Sequence, residues 1–244
     1  MHQTIKMRLA NKGKGEFRAE GNTLWLYDVI ASDDEEAYWW GGISPRQFIE
    51  ALAQTTGPVT LRVNSPGGSV FGAQAMVAAM RAHGQPITAQ IDSLAASAAS
   101  VIAAEAAETV MAPGSMLMIH KAWGMTIGNG DDHTAAASLL AKIDGQIADT
   151  YARRAGGDRE KYMDLMAAET WFSAEEAVEA GLADRLIEDN AQRPANKWDL
   201  SAYAAPPAIE EPEAQPEPET VSLQAEMREA MQRRVAAKVI ANKI

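Results

Sequence analysis

A repeated change from short apolar or β-branched runs to alanine-rich stretches most limits what this chain can fold into. Residues 59–63, Val-Thr-Leu-Arg-Val, form one such run. It stops at residues 64–68, Asn-Ser-Pro-Gly-Gly, which we call the glycine loop. An alanine-rich helical stretch follows at 70–82, and the alternating run 87–91 predicts the next strand. Strands that alternate with helices favour repeated parallel β-α-β units, so the predicted fold class is α/β.

The same patterns predict elements elsewhere in residues 16–188. A helix at 135–154 carries apolar residues at spacings of three and four. Ser173 and Glu176 fit a capping box at the start of another helix, and Gly181 suits its end. The other predicted elements are strands at 24–29 and 116–119 and helices at 45–53 and 95–107.

The chain divides into three predicted parts. Residues 1–188 form the α/β domain, and residues 189–220 form an acidic, proline-rich linker. The stretch 204–220 holds five prolines and five glutamates, so it is expected to be disordered. Residues 221–244 return to helical composition, with an apolar stripe and a basic face. This tail is either a helix exposed to solvent or a docking helix for a partner protein.

Charge and composition exclude several classes of function. The net charge of −11 argues against nucleic acid or an anionic membrane as the main partner. The chain has no cysteine, which excludes disulfides, thiolate catalysis and cysteine-bound metal. Neither a signal peptide nor a membrane-spanning run is present, so the expected location is the cytoplasm.

Ser97 and the glycine loop are the first candidates for catalysis. Ser97 lies among alanines where a strand is expected to meet a helix, and small neighbours let a substrate approach closely. Free N–H groups at a helix start and after paired glycines can hold an oxyanion. The alternatives are a tightly packed alanine–serine helix and an ordinary strand-to-helix turn.

His120 and Glu169 complete the set of candidates. His120 closes an apolar strand, at the sheet edge where α/β active sites lie, and a nucleophilic serine needs such a base. Glu169 is the candidate carboxylate that orients the histidine. Read alone, His120 could be structural and Glu169 a surface charge. Asp164 or a backbone carbonyl could also orient the histidine, and Ser93 or Ser100 could be the nucleophile.

Taken together, these segments resemble the Clp protease proteolytic subunit family over residues 24–187. The glycine loop resembles the family's own loop, Ala95-Ala96-Ser97 its nucleophile motif and Met118-Ile119-His120 its histidine motif. Residues 172–178 and 181–184 resemble the helix that follows the family's acidic residue.

The resemblance implies a Clp-protease/crotonase-like fold and a serine endopeptidase that needs no metal or cofactor. It implies Ser97 as nucleophile, His120 as general base, and Gly68 and Ala98 as the backbone donors of the oxyanion hole. Glu169 matches the third member, which is usually aspartate, and its extra methylene demands a shifted backbone. A ring-forming homo-oligomer is implied, in which the 135–154 helix makes ring-to-ring contacts. A Clp-type ATPase is a possible partner.

Residues 97–100 and 120–123, together with the tail, resemble the phage and prophage versions of the family. That branch implies cleavage of scaffold and capsid proteins during head maturation, in the host cytoplasm or the prohead. The alternatives are a general Clp-type peptidase working with an ATPase, a crotonase and a non-enzymatic capsid assembly protein. A chain ending at Ala202 is expected to keep full activity on a short peptide, because the triad lies within 1–188.

Overall fold

A computed structural model describes residues 3–188 and 198–206, all within the compact unit formed by residues 1–209. The predicted tail, and most of the predicted linker, lie outside the described residues. The helices of this part of the chain are α1 (Gln3–Asn11), α2 (Asp34–Trp40), α3 (Pro45–Leu52), α4 (Val70–His83), α5 (Ala98–Ala104), α6 (Gly130–Ala155), α7 (Arg159–Ala167) and α8 (Ala174–Glu179). Its strands are β1 (Glu16–Glu20), β2 (Thr23–Tyr27), β3 (Val59–Ser65), β4 (Ile87–Ala96), β5 (Glu108–Met111), β6 (Met116–Ile119), β7 (Thr170–Ser173) and β8 (Arg185–Leu186).

The strands form one mixed sheet whose centre is parallel. The order is β1-β2-β3-β4-β5-β8, with β1 antiparallel to β2 and the other neighbours parallel. Beyond the end of β5, β4 pairs in parallel with β6, and β6 pairs antiparallel with β7. The predicted α/β class with parallel β-α-β units is confirmed.

The prediction of a helix at 95–107 is wrong at its first residues. Ala95 and Ala96 belong to β4, where they pair with Leu117 and Met118 of β6, and α5 begins only at Ala98. Alanine favours helix by local propensity, but pairing with a buried strand outweighs that preference. The shift leaves Ser97 alone at the junction between strand and helix.

Helix starts agree with the capping signals in the sequence. Ser173 and Glu176 form the predicted capping box at the start of α8. The long helix α6 begins earlier than predicted, because Asn129 caps it by accepting from the N–H groups of Asp131 and Asp132. Of the predicted apolar stripe, Ile143, Ile147 and Tyr151 are buried.

Apolar side chains pack on both faces of the sheet near β4. The larger core cluster packs helices on one face, and Ala95 belongs to it. Leu94 and Ala96 point to the opposite face, since side chains alternate along a strand. There they are covered by Trp198, Leu200 and Tyr203 of residues 198–206, which we call the strap. The strap falls within the linker predicted at 189–220, and its apolar side chains pack against the sheet.

None of the helices within residues 3–188 and 198–206 is long and apolar enough to cross a membrane.

Candidate active site

Three chain segments converge where parallel neighbours in the sheet end. The glycine loop follows β3, Ser97 follows β4, and His120 follows β6. Glu169 lies at the same end, because it precedes β7, which runs antiparallel to β6. The carboxyl ends of parallel strands are where α/β folds place their ligand sites. The fold therefore gathers the predicted site residues at one edge.

Ser97 occupies a strained turn that presents its hydroxyl group. Its φ of 55° and ψ of −122° are unusual for a residue with a side chain. Such a conformation costs on the order of 1–3 kcal/mol and persists only where the surroundings enforce it. The Ser97 N–H donates to the Met118 carbonyl (2.9 Å), which anchors the turn to β6. The Ser97 side chain does not cap α5, so its hydroxyl group is available for another partner.

That partner is His120. The Ser97 Oγ and His120 Nε2 atoms are 2.7 Å apart. In the neutral ring, Nε2 accepts the serine proton when Nδ1 carries the ring hydrogen. Ser100 is fully buried, and its hydroxyl donates to the Ser97 carbonyl (2.6 Å). Ser93 lies within β4, four residues before Ser97. Of the three serines considered, the structure brings Ser97 to the histidine.

The environment of His120 disfavours the imidazolium. Burial lowers the pKa of His120 to about 4, and the negative charge of Glu169 opposes this shift. The chain after His120 is fixed by two hydrogen bonds. The Lys121 N–H donates to the Met166 carbonyl (3.1 Å), and the Ala122 N–H donates to Asp144 Oδ1 (2.7 Å). Burial therefore favours a neutral imidazole at His120, beside the Ser97 hydroxyl.

The glycine loop packs directly against the Ser97 turn. A Cβ at Gly67 would lie 2.5 Å from the Ala96 carbonyl oxygen and 2.8 Å from the Ser97 Cβ, and the φ of Gly67 is 87°. At Gly68, with φ of 145°, a Cβ would lie 2.1 Å from the Ile30 carbonyl oxygen. No residue with a side chain fits either position without a shift of backbone.

The two predicted backbone donors have suitable positions. Ile30 pairs with Gly68 in a parallel bridge, donating to the Gly67 carbonyl (2.8 Å) and accepting from the Ser69 N–H (2.8 Å). In such a bridge the N–H of Gly68 itself points away from Ile30. Ala98 is the first residue of α5, and the first turn of a helix has no internal acceptor for its N–H groups.

Glu169 lies near His120 but is bonded to other groups. Its carboxylate accepts from the N–H groups of Ala204 (3.0 Å) and Ala205 (2.9 Å) and from the Trp171 indole (3.3 Å). Within the described residues, no hydrogen bond joins it to His120. Asp164, the alternative, has an exposed side chain on α7, and Glu169 is the carboxylate whose charge acts on the pKa of His120.

Tyr203 of the strap is a site residue that the sequence interpretation missed. Its ring meets the His120 ring edge to face, with centroids 5.5 Å apart, and its hydroxyl donates to the Pro66 carbonyl of the glycine loop. Burial raises the pKa of the Tyr203 phenol. The negative charge of Glu169 raises this pKa further, and a hydrogen bond with the Ser97 side chain opposes the shift. The available signal was a group of apolar residues, Trp198, Leu200 and Tyr203, just before the proline-rich stretch.

An open cavity of about 340 Å³ adjoins Ser97 and His120. Its apolar wall comes from the segment after His120 and from α6, including Met125, Leu139 and Ile143. On another side lies Arg8, whose Nη2 atom is 3.0 Å from Glu36 Oε2 and donates to the Ile30 carbonyl (3.1 Å). The cavity is large enough for side chains of a bound peptide next to the serine.

Comparison with known proteins identifies the family. The Clp protease family model matches residues 47–190, more than half of the chain. The chain belongs to the Clp protease family. Since members of this family are serine peptidases, the predicted enzyme class is confirmed. The matched range contains Gly68, Ser97, Ala98, His120 and Glu169 and ends before the strap.

Individual relatives agree with the family match. ATP-dependent Clp protease proteolytic subunit 1 of Chlamydia muridarum is 32% identical over 134 residues, 53% of this chain and 70% of the relative. The ATP-dependent Clp protease proteolytic subunit of Streptococcus agalactiae is 31% identical over 147 residues, 59% of this chain and 74% of the relative. ATP-dependent Clp protease proteolytic subunit 1 of Salinibacter ruber is 29% identical over 134 residues, which are 54% of this chain and 58% of the relative. The phage branch of the family stays a prediction.

Proposed function

We propose that this Clp-type peptidase cleaves peptide bonds through a covalent acyl-enzyme formed on Ser97. The observation that carries the proposal is the 2.7 Å contact between Ser97 Oγ and His120 Nε2, at a turn that lies beside the backbone N–H groups of Gly68 and Ala98. A serine hydroxyl is a weak nucleophile until an adjacent base takes its proton. An imidazole kept neutral by burial is such a base.

The reaction follows from these positions. His120 takes the Ser97 proton as Oγ attacks the peptide carbonyl, and the N–H groups of Gly68 and Ala98 hold the resulting oxyanion. His120 then gives the proton to the leaving amine. Water, activated by the same imidazole, hydrolyses the ester and releases the second product. None of these steps requires a metal or cofactor.

Glu169 supports His120 through its charge in this scheme. A carboxylate near the ring stabilises the imidazolium that forms in the transition state. Two backbone N–H groups of the strap fix the position of this carboxylate. Glu169 thus takes the third place of a Ser-His-Glu set, with an electrostatic contribution in place of a direct hydrogen bond.

We further propose that the substrates are phage scaffold and capsid proteins, processed in the host cytoplasm or the prohead during head maturation. The support is the resemblance at residues 97–100 and 120–123 and the residue pattern of the tail, which lies outside the described residues. The tail would dock on an acidic partner and raise the local concentration of the cleavage site. A general peptidase served by an ATPase is the second candidate, because the relatives are named ATP-dependent.

A ring-shaped homo-oligomer belongs to the same proposal. Large apolar side chains are exposed on α6 and just before it, including Leu139 (51% exposed) and Ile127 (87% exposed). A cyclic assembly would cover such side chains. Light scattering at micromolar concentration should report several subunits per particle, and an active monomer would contradict this part of the proposal.

The deciding experiment compares wild type with Ser97→Ala, using Ser93→Ala as the matched control. Wild type and Ser93→Ala should react with a fluorophosphonate and cleave scaffold or capsid protein, and Ser97→Ala should do neither. A fold with a non-enzymatic assembly role would give no labelling in wild type. Labelling that survives in Ser97→Ala would identify another serine as the nucleophile. Cleavage of unrelated unfolded proteins only in the presence of an ATPase would favour the second candidate.

A further inference from the structure

The strap is anchored by hydrogen bonds to two of the segments that carry the active site. The Trp198 indole donates to Asn64 Oδ1 (2.8 Å) at the beginning of the glycine loop. The Tyr203 hydroxyl donates to the Pro66 carbonyl in the same loop. The N–H groups of Ala204 and Ala205 donate to the Glu169 carboxylate. A nine-residue segment therefore joins the glycine loop to the carboxylate beside His120.

A second set of contacts attaches the strap to α1. The Asn11 side chain accepts from the Asp199 N–H (2.7 Å) and donates to the Asp199 carbonyl (3.0 Å), and Asn11 is fully buried. The Lys6 ammonium donates to the Ser201 carbonyl (2.6 Å). Together with the burial of Trp198 and Leu200, these contacts fix the backbone on the N-terminal side of Tyr203.

Tyr203 is the strap residue that touches the base itself. Its ring is perpendicular to His120 (84°) and to Trp171 (83°), with centroids 5.5 and 5.6 Å away. Edge-to-face contacts at these distances are favourable for aromatic rings. Tyr203 is only 7% exposed, so its ring fills the space beside the imidazole and keeps water out of it. Rotation of His120 away from Ser97 would require this ring to move.

We propose that Tyr203 is a positioning residue of the peptidase, which holds the His120 ring toward Ser97 and, through Pro66, holds the glycine loop against the Ser97 turn. The inference rests on the proposed acyl-enzyme mechanism. It adds to that mechanism a residue outside the range that the family model matches.

The pH dependence of the reaction gives a readout that a purely structural role would not change. The groups that face His120 are Ser97 from the β4–α5 turn, Glu169 from the start of β7 and Tyr203 from the strap. Lys121 is adjacent in the chain, and its side chain is exposed. Removing the Tyr203 ring admits water to His120, and hydration raises the pKa of a buried histidine toward its ordinary value.

The test uses the full chain with Tyr203→Ala and Tyr203→Phe. The matched control is Tyr38→Ala, whose side chain on α2 is 79% exposed. Hydrolysis of a short fluorogenic peptide and the rate of fluorophosphonate labelling are measured between pH 4 and pH 9.

Tyr203→Ala should lower kcat by about 10–100-fold with a smaller change in KM, as expected when a catalytic group is misplaced. The acidic limb of its pH–rate profile, where activity is lost as His120 becomes protonated, should move to higher pH. Tyr203→Phe should keep the acidic limb of the wild-type pH–rate profile and lose less than about tenfold in kcat, since it keeps the ring and loses only the neutral hydroxyl contacts with Pro66 and Ser97. Tyr38→Ala should match wild type.

The inference is overturned by a Tyr203→Ala protein whose kcat and acidic limb match those of wild type. It is also overturned by faster hydrolysis, which would show that the strap blocks the site. If Tyr203→Ala does not fold, Tyr203→Leu retains most of the volume but loses the edge-to-face contact that orients His120, so a lower kcat is expected, and a kcat equal to that of wild type would overturn the inference. A wild type that never reacts with fluorophosphonate would overturn the proposed function and this inference together. A reactive wild type with unaltered Tyr203 variants would overturn the inference alone.

Discussion

Two chains that differ by four residues test whether the strap belongs to the enzyme. A chain ending at Ala202 lacks Tyr203 and the Ala204 and Ala205 N–H groups, whereas a chain ending at Pro206 retains them. The sequence alone predicts equal peptidase activity, because every predicted triad residue lies before residue 189. The structure predicts a difference, since the shorter chain loses the ring beside His120 and the donors that hold Glu169.

The size of the stability difference follows from these contacts. Burial of the Tyr203 ring contributes about 2 kcal/mol, its hydroxyl about 1 kcal/mol, and the two N–H bonds to a carboxylate about 3 kcal/mol together. Ordering three residues opposes this by about 4 kcal/mol. The chain ending at Ala202 should therefore be less stable by about 2 kcal/mol, or about 4–8 °C in Tm.

Thermal unfolding and peptide hydrolysis check the two expectations separately. The shorter chain should hydrolyse a fluorogenic peptide at least about tenfold more slowly at temperatures where both chains are folded, because His120 loses its packing partner. The chain ending at Pro206 should match the full chain on this substrate. Equal rates and equal Tm values for the two truncated chains would refute the reasoning. With Pro206 as the end point, a loss of capsid processing would then report on residues 207–244, which are the rest of the predicted linker and the tail.

Three other perturbations test the electrostatics. Because burial lowers the pKa of His120 to about 4, the neutral base persists in acid, and kcat/KM should fall only below about pH 5; a midpoint near 6.5, measured from initial rates, would contradict this. Glu169→Gln removes the charge that stabilises the imidazolium, so the pKa of His120 should fall further and kcat should drop. The drop should be smaller than the roughly 10⁴-fold loss seen in enzymes whose triad carboxylate forms a hydrogen bond with the histidine. An unchanged kcat in steady-state assays would remove Glu169 from the mechanism. Asp92 is fully buried and accepts two hydrogen bonds from the Arg62 guanidinium (2.8 and 2.9 Å). Asp92→Ala leaves the charge of Arg62 without this partner, so the free energy of unfolding measured in urea should fall by about 3–5 kcal/mol. The control is Glu16→Ala, an exposed partner of Arg18 whose removal should change the free energy of unfolding by less than about 1 kcal/mol.

The sequence by itself determined most of the elements and the order of the site segments. Apolar periodicity placed β3, β6, α4 and the buried stripe of α6, because those patterns record which face of an element is buried. Turn residues marked the glycine loop, and the capping box marked the start of α8, because the groups involved are neighbours in the chain. Ser97 and His120 could be singled out because each lies just beyond a strand.

What only the tertiary structure decided depends on partners far apart in the chain. The extension of β4 to Ala96, and with it the strained turn at Ser97, comes from pairing with β6 some twenty residues later. The partners of Glu169 could not be inferred, because its carboxylate bonds to N–H groups 35 and 36 residues away. Tyr203 and Pro66 are 137 residues apart, and the composition after residue 188 favours a linker there. Local propensity and composition describe the unpaired chain, whereas the apolar face of β4 and β6 that binds the strap exists only once the sheet has formed.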